Sequence, residues 1–394
     1  MTRSFCTSPR IYKLSLFLFL VFCISYCTEQ ASIPEFYLKT AEELSWKEKQ
    51  ACALGFSEDG DSLSLKGALK LRGGSSSKFF KHSFALELED KFKLAGLPKD
   101  DDWILNANYI DKTFMRHKIS YDLFREMGKK NIASECAYIN LNLNENYEGL
   151  YVLMEEINGG MVKLDKGDTS AVIFKDPPIF FPEKLEYVQD TSNYYQQKFP
   201  KIYIHDKTAY IEAFGHFLYH SSDEEFDRKI GDWVDLENVI DWHLLLLFTN
   251  NGDGILKNFY LYKKNSETPF RFAIWDYDHS FGRDGDYEYN MMDKPLNCDR
   301  AILLKRLKER HSYREQQQKR YWQLRKKGIF SLEHFKELVS GNDKMIRPHL
   351  KRNFEKWPVD SEWYHDDNTY EQEINLMYDF VELRLNQLDK RFEN

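Results

Sequence analysis

The stretch "FAIWDYDHSFG", residues 272–282, runs from four apolar side chains straight into two acids, Asp276 and Asp278. On an extended chain, residues two apart point to the same side. A strand ending here therefore aims both carboxylates one way. A few hard oxygen ligands, with room for water and phosphate, suit a magnesium-like cation held beside a nucleotide. "DYD" alone equally fits a strand that leaves the core and lets its acids meet solvent, Lys or Arg. The surrounding sequence has to decide.

Just upstream, "TNNGDGILKNFYLY" (residues 249–262) carries Asp253 and Asn258, five apart, and Asp276 follows beyond two short strands. D-x-x-x-x-N is the spacing of a protein-kinase catalytic loop, in which the Asp accepts the substrate hydroxyl proton and the Asn holds a metal. The order of base, metal-binding Asn, hairpin and metal-binding Asp is that of kinases too. Two common polar residues often fall five apart, so the weight rests on the order and the strand context. Phe281-Gly282 is not a D-F-G, because it does not adjoin Asp276.

A phosphoryl-transfer site also needs a phosphate cover and a cation. "RGGSSSKFFK" (residues 72–81) offers both. Gly73 and Gly74 let the backbone approach phosphate oxygens, and exposed N–H groups and the Ser75 and Ser76 hydroxyls can bond them. Lys81, at the start of the returning strand, can reach toward phosphates. The segment is neither G-x-G-x-x-G nor a Walker loop, and taken alone it reads equally as a flexible hairpin tip.

Farther out, Leu63, Leu65, Leu69 and Leu71 alternate and predict a strand, which "FALEL" (Phe84, Leu86, Leu88) resumes after the glycines. "DKTFMRHKISYDLFREMG" (residues 111–128) predicts a helix capped by Asp111 or Thr113 and stopped by Gly128. A second hairpin follows, with Ile139, Leu141 and Leu143 alternating before an Asn-Glu-Asn turn. Residues 210–220 and 235–248 have helical patterning, and helices dominate from Ala301 on: "AILLKRLKERHSYREQQQKRYWQLRKKG", "SLEHFKELVSGN" and one near "EINLMYDFVELRLNQLDKRF". The expectation is an α+β fold, a sheet-rich lobe followed by a helical one, with "WDYD" near the junction.

With 394 residues, 42% hydrophobic and 15% aromatic, the chain can fill a core. A net charge of −8 argues against a nucleic-acid partner. Ten Lys and Arg against two Glu in residues 305–327 read as a solvated amphipathic helix, or else as a dock for an acidic partner. The first 13 residues are basic and precede a 12-residue apolar run, Leu14 to Ser25, of signal-peptide length. Residues 1–27 are therefore expected to direct export, either by plain cleavage and secretion or with Cys27 as a lipid anchor in the cell envelope. Of the other cysteines, Cys6 and Cys23 would leave with the signal, and Cys52, Cys136 and Cys298 form no disulfide framework or C-x-x-C. "YHDD" (residues 364–367) reads as a solvated loop.

Together these blocks resemble the CotH kinases, a family of atypical protein kinases named for spore coat protein H. The family pattern R-G-N-S-[ST], with a Lys nine places after the Arg, is similar to Arg72, Gly73, Ser75, Ser76 and Lys81, although Gly74 stands for the usual Asn and Phe80 for the frequent Pro. Further blocks match at Asp111 and Arg116, at Gly149, Tyr151 and Glu155, at Asp253 and Asn258, and at Asp276 and Asp278. The resemblance covers about residues 63–392.

The resemblance implies a divergent protein-kinase-like two-lobe fold within residues 28–394, with a sheet-rich N-lobe over about 36–157 and a helical C-lobe over about 158–394. It implies ATP with Mg2+ or Mn2+, and γ-phosphoryl transfer to Ser or Thr of a protein substrate; the chain itself is expected to be a monomer. Asp253 would be the catalytic Asp that accepts the hydroxyl proton and Lys81 the phosphate-contacting lysine, held by Asp122 or Glu126. Asn258 and Asp276 would hold metal, with Asp278 a second metal-facing acid. Arg72, Gly73, Ser75, Ser76 and Glu155 would help bind the nucleotide. Two other readings are an exported surface-binding or adhesion protein that keeps the fold without transfer, and a metal-dependent phosphohydrolase. The set of Lys81, Asp253, Asn258 and Asp276 weighs against the first, and the Gly-Ser loop against the second.

Overall fold

Alternating apolar residues build the first half of the fold in the computed structural model, which describes residue 1 and residues 33–58, 61–181, 193–284, 287–290, 292, 294–359 and 367–393. The expected export segment with Cys27, and most of "YHDD", lie outside the described residues. Strands β1 (Glu35–Thr40), β2 (Gln50–Glu58), β3 (Asp61–Arg72), β4 (Ser83–Phe92), β5 (Asp100–Asn106), β6 (Cys136–Leu143) and β7 (Asn146–Glu155) close into a barrel in the order β1-β2-β3-β4-β5-β7-β6. Closure comes from a parallel pairing of β1 with β6, Phe36 opposite Leu141. Both expected hairpins are present, β3–β4 and β6–β7. Asn144 and Glu145 turn the second with φ of 47° and 70°, the left-handed pair that matches strand twist.

Strands β5, β6 and β7 have two apolar faces. Trp103, Leu105, Ile139, Leu141, Tyr151 and Leu153 fill the barrel. Their neighbours Ile104, Tyr138, Leu150, Val152 and Met154 face a second, larger core made with the helices. Burying each such side chain contributes about 1.5–3 kcal/mol, so these strands are the shared wall of two cores. Residues Ile33–Asn394 form one compact unit.

Helix α1 (Arg116–Met127) crosses from the barrel and ends at Gly128 as expected, but begins later than the sequence suggests. Asp111 and Thr113 still serve its N-terminus: Asp111 Oδ2 accepts from Arg116 N at 3.0 Å and Thr113 Oγ1 from Met115 N at 3.3 Å. A second sheet, in the order β11-β10-β8-β9, joins β8 (Val172–Lys175), β9 (Gln197–Phe199), β10 (Phe259–Lys263) and β11 (Arg271–Ile274). Helices α2 (Thr208–His220), α3 (Asp223–Trp233) and α4 (Leu236–Thr249) precede β10 in the chain, and α5 (Ile302–Glu309), α6 (His311–Lys326), α7 (Leu332–Lys356) and α8 (Tyr370–Phe392) complete it. The basic stretch is two helices broken at Arg310, not one, and α7 runs through Gly341 and Pro348, well past the expected end. Several of the basic side chains meet acids of other elements: Arg306 and Arg310 reach Asp223, Arg320 reaches Asp241 and Arg325 reaches Asp389. No helix among the described residues is long and apolar enough to cross a membrane.

One ion cluster joins distant parts of this architecture. The Arg116 guanidinium contacts Asp111 Oδ1 at 2.6 Å, Glu373 Oε2 of α8 at 2.8 Å and the Ser280 carbonyl at 3.0 Å. All three charged side chains are 1% exposed. Arg116→Met strands two carboxylates in the core, so denaturant unfolding should show a loss of about 3–5 kcal/mol; a loss under about 1 kcal/mol would refute this role.

Candidate active site

The segment that follows β11 leaves the extended conformation at once. Strand β11 ends at Ile274, and Asp276 has φ of 57°, a left-handed conformation rare for a residue with a side chain. Strand alternation therefore does not bring the two acids together, contrary to the sequence expectation. A backbone turn does, and it is clamped on both sides. Asp276 N donates to the Tyr121 hydroxyl at 2.8 Å, while Asn258 Nδ2 donates to the Asp276 carbonyl at 3.0 Å. Tyr277 N donates to His117 Nδ1 at 2.9 Å. His117 and Tyr121 lie one turn apart on α1, so a single helix face receives two successive N–H groups of the loop.

Ligand atoms of Asp276, Asp278 and His117 lie within 4.8 Å of one another. His117 Nδ1 is occupied as an acceptor, which leaves its proton on Nε2, 3.6 Å from Asp276 Oδ1. His117 thus steadies Asp276 rather than acting as a metal ligand. Burial first, and then the neighbouring Asp276 charge, push the Asp278 carboxyl above the usual carboxylate range, with His279 and His117 opposing. Two acids held at that cost are what a divalent cation would relieve. Asn258 also has a left-handed φ of 63°, and since its amide nitrogen is spent on Asp276, its Oδ1 is the atom it can offer. An oxygen set of Asp276, Asp278 and Asn258 fits a hard cation such as Mg2+ or Mn2+.

Asp253 opens a short 3-10 turn after α4, whose C-terminus is closed by left-handed Asn250. Gly254 fits a close approach there: a Cβ would stand 2.7 Å from a Leu246 methyl and 3.3 Å from the Tyr277 hydroxyl. Lys257 Nζ lies 2.8 Å from Asp253 Oδ2, and His279 Nδ1 lies 3.7 Å from the same oxygen. These contacts leave Oδ1 for an incoming hydroxyl. His279 also reaches back to Asp278 Oδ1 at 3.9 Å, bridging the two acids.

A cleft of about 450 Å³ brings the sequence candidates together: Arg72, Gly73, Ser75, Ser76 and Lys81 line it with Asp253, Asn258, Asp276 and Asp278. The Gly73–Ser76 cover includes a 3-10 turn over Ser75–Lys78, and Gly73 has φ of 141°. A Cβ at Gly74 would meet nothing within 4 Å, so Gly in place of Asn leaves packing unchanged there. Lys81 is 2% exposed, and its ammonium donates to the Ala107 and Leu150 carbonyls and to Asn353 Oδ1 of α7. Burial drives its proton affinity well down. Neither helix acid expected to hold it does so: Asp122 pairs with Lys118 and Arg125, and Glu126 with His334. Gly149 makes room for this arrangement, since a Cβ there would stand 2.8 Å from Asn353 and 3.1 Å from Lys81. Glu155 does not line the cleft; it ends β7, where Oε2 accepts from Glu135 N at 3.2 Å. The buried thiols of Cys52, Cys136 and Cys298 are free, and burial pushes Cys136 and Cys298 up to about 12, so neither is poised as a nucleophile.

Sequence reading missed Lys175, Lys257, Trp275, His279 and Asn108, all lining the same cleft. Lys257 and His279 adjoin residues already singled out, a signal that was there to use. Asn108 lies three residues before Asp111 in a block that the family resemblance already covers, whereas Lys175 ends a strand with no motif around it.

The model of the CotH kinase protein family matches residues 69–388. Inner spore coat protein H of Bacillus subtilis (strain 168) is 25% identical over 250 residues, which is 62% of this chain and 67% of that protein.

Burial pushes the Glu155 carboxyl from 4.5 up to about 7. The folded state therefore binds this proton more tightly than the unfolded one, and stability falls as pH rises through that window. Glu155→Gln removes this loss. Its thermal midpoint should gain on wild type between about pH 4.5 and 7, whereas parallel midpoint curves would refute the assignment.

Proposed function

The chain belongs to the CotH kinase protein family, and on that premise we propose that it transfers the γ-phosphoryl group of ATP to Ser or Thr hydroxyls of a protein substrate, with Mg2+ or Mn2+. The observation that carries this reading is the convergence of Asp253, Asn258, Asp276 and Asp278 in one cleft beneath the Gly73–Ser76 cover.

Phosphoryl transfer demands little covalent work from a protein and much positioning and charge neutralisation. Asp253 Oδ1 orients the acceptor hydroxyl and takes its proton as the oxygen bonds to the γ-phosphorus and the bond to ADP breaks. Lys257, on the other carboxylate oxygen, keeps that side chain turned toward the acceptor. Asp276, Asp278 and the Asn258 carbonyl would hold the divalent cation, which when bound offsets charge on the β- and γ-phosphate oxygens. His117 and Tyr121 hold the Asp276 loop in its strained form. Lys81 lines the cleft as part of this kinase-like arrangement, and Gly73, Ser75 and Ser76 cover the phosphates. In this reading the barrel plays the part of an N-lobe and the helical core that of a C-lobe. The name of the Bacillus relative places that protein in the spore coat, and an envelope-associated location is the corresponding reading for this chain.

The test is label transfer from γ-labelled ATP to a serine-rich acceptor protein, with Mg2+ or Mn2+. Wild type should label it. Asp253→Ala and Asp276→Asn should each lower the rate about 10²–10⁴-fold while keeping the wild-type circular dichroism. Full activity in either variant would remove that residue from the mechanism.

A further inference from the structure

Three strand ends meet at one indole in the cleft. Arg72 closes β3, Lys175 closes β8, and Trp275 directly follows β11. The Arg72 guanidinium stands 5.4 Å from the Trp275 ring centre, and Lys175 Nζ stands 5.8 Å from it and 5.7 Å from that of Tyr260. Trp275 is 3% exposed, so the shelf beneath the two cations is fixed. Among the described residues neither cation is in an ion pair. Beside them, Asn108 is 6% exposed and left-handed, with φ of 47°. Its Oδ1 accepts from Asn106 at 2.6 Å, but its buried Nδ2 has no acceptor. A buried donor left unpaired costs about 1–3 kcal/mol, and a ligand oxygen would recover it.

We propose that Lys175 and Arg72, seated on Trp275, form with the Asn108 amide the site that holds the β- and γ-phosphates of the nucleotide, and that Lys81 secures the cleft wall instead. The inference rests on the nucleotide reading above and adds which side chains grip the phosphates. Lys81 has three N–H donors, and all three are spent on Ala107, Leu150 and Asn353. Its ammonium also lies against the rings of Phe114 and Tyr151, at 4.9 and 4.5 Å. Turning it to a phosphate would orphan three acceptors at once. Lys175 and Arg72 give up no such bonds. A triphosphate chelated to one divalent cation keeps about two negative charges, and two cations without ion pairs face the cleft to receive them.

The experiment is calorimetric titration of the full chain with MgATP and, separately, with AMP. Lys175→Met should weaken MgATP binding about tenfold or more, the worth of a charge-assisted bond, and leave AMP within about twofold. Lys175→Arg should restore most of the MgATP affinity. Asn108→Asp keeps the acceptor for Asn106 but puts negative charge where Nδ2 stood, and should weaken MgATP more than Asn108→Ala does. This pair of variants decides the matter should Lys175→Met lose its fold. MgATP affinity unchanged in both Lys175→Met and Asn108→Asp, in a wild type that binds MgATP, would overturn this site alone. A wild type that binds neither nucleotide would overturn it together with the nucleotide reading.

Discussion

The Arg116 guanidinium is the constraint on which the Asp276–Ser280 loop depends. A cation removed from water costs several kcal/mol unless its partners are all in place, and here the partners come from the segment before α1, from α8 and from the Ser280 carbonyl. Folding cannot bury this charge without drawing the three together. Ser280 lies two residues after Asp278, so the bond that satisfies Arg116 also positions the carboxylate pair. The burial that raises Asp111 is opposed by Arg116 and by the Thr113 hydrogen bond, which together hold its carboxyl below the usual range. That proton affinity makes the cluster a feature of neutral pH: its contribution is lost as pH falls through the folded value.

The same helix supports the strain beside it. A left-handed Asp276 is costly, of the order of 1–3 kcal/mol, and persists because Tyr121, Asn258 and His117 take the backbone groups it and Tyr277 present. Arg116, His117 and Tyr121 thus occupy one end of α1 and act on one loop. The result is a pair of acids whose ligand atoms lie within 4.8 Å of one another, and burial first, then the Asp276 charge, raises the proton affinity of Asp278.

Local patterns made much of this legible. Period-two leucines gave the β3–β4 hairpin, and the spacing of Asp253, Asn258 and Asp276 picked out residues that do share a cleft. What escaped was non-local. Nothing in β1 or β6 announces that Phe36 will pair in parallel with Leu141 and close a barrel, since a parallel edge has no turn to mark it. The paired acids were read from strand alternation, whereas a left-handed residue with no glycine produces them. The break at Arg310 and the passage of α7 through Pro348 are likewise set by packing, which overrides propensity. Lys81 stood out because a motif points to it, while Lys175 and Asn108 gain meaning only once three strand ends converge.

Barrel closure has a consequence for the cleft. A closed sheet has no free edge, and its β5-β7-β6 wall is apolar on both faces, so neither core can shift without exposing the other. Lys81 adds a tie between the chain that follows the Gly73–Ser76 segment, the β7 carbonyl of Leu150 and Asn353 of α7. Asn353 Oδ1 accepts from Leu150 N as well, at 3.1 Å, and Trp357 Nε1 donates to the Glu148 carbonyl at 2.7 Å. The wall of the cleft is therefore braced from both sides. The Ser75–Lys78 turn is different: it buries no side chain, and the bonds of Ser77 and Phe79 to the Gly74 and Ser76 carbonyls stay within the same loop. Segments with few buried contacts open at least cost. Opening the cleft at this segment would therefore disturb neither of the two cores.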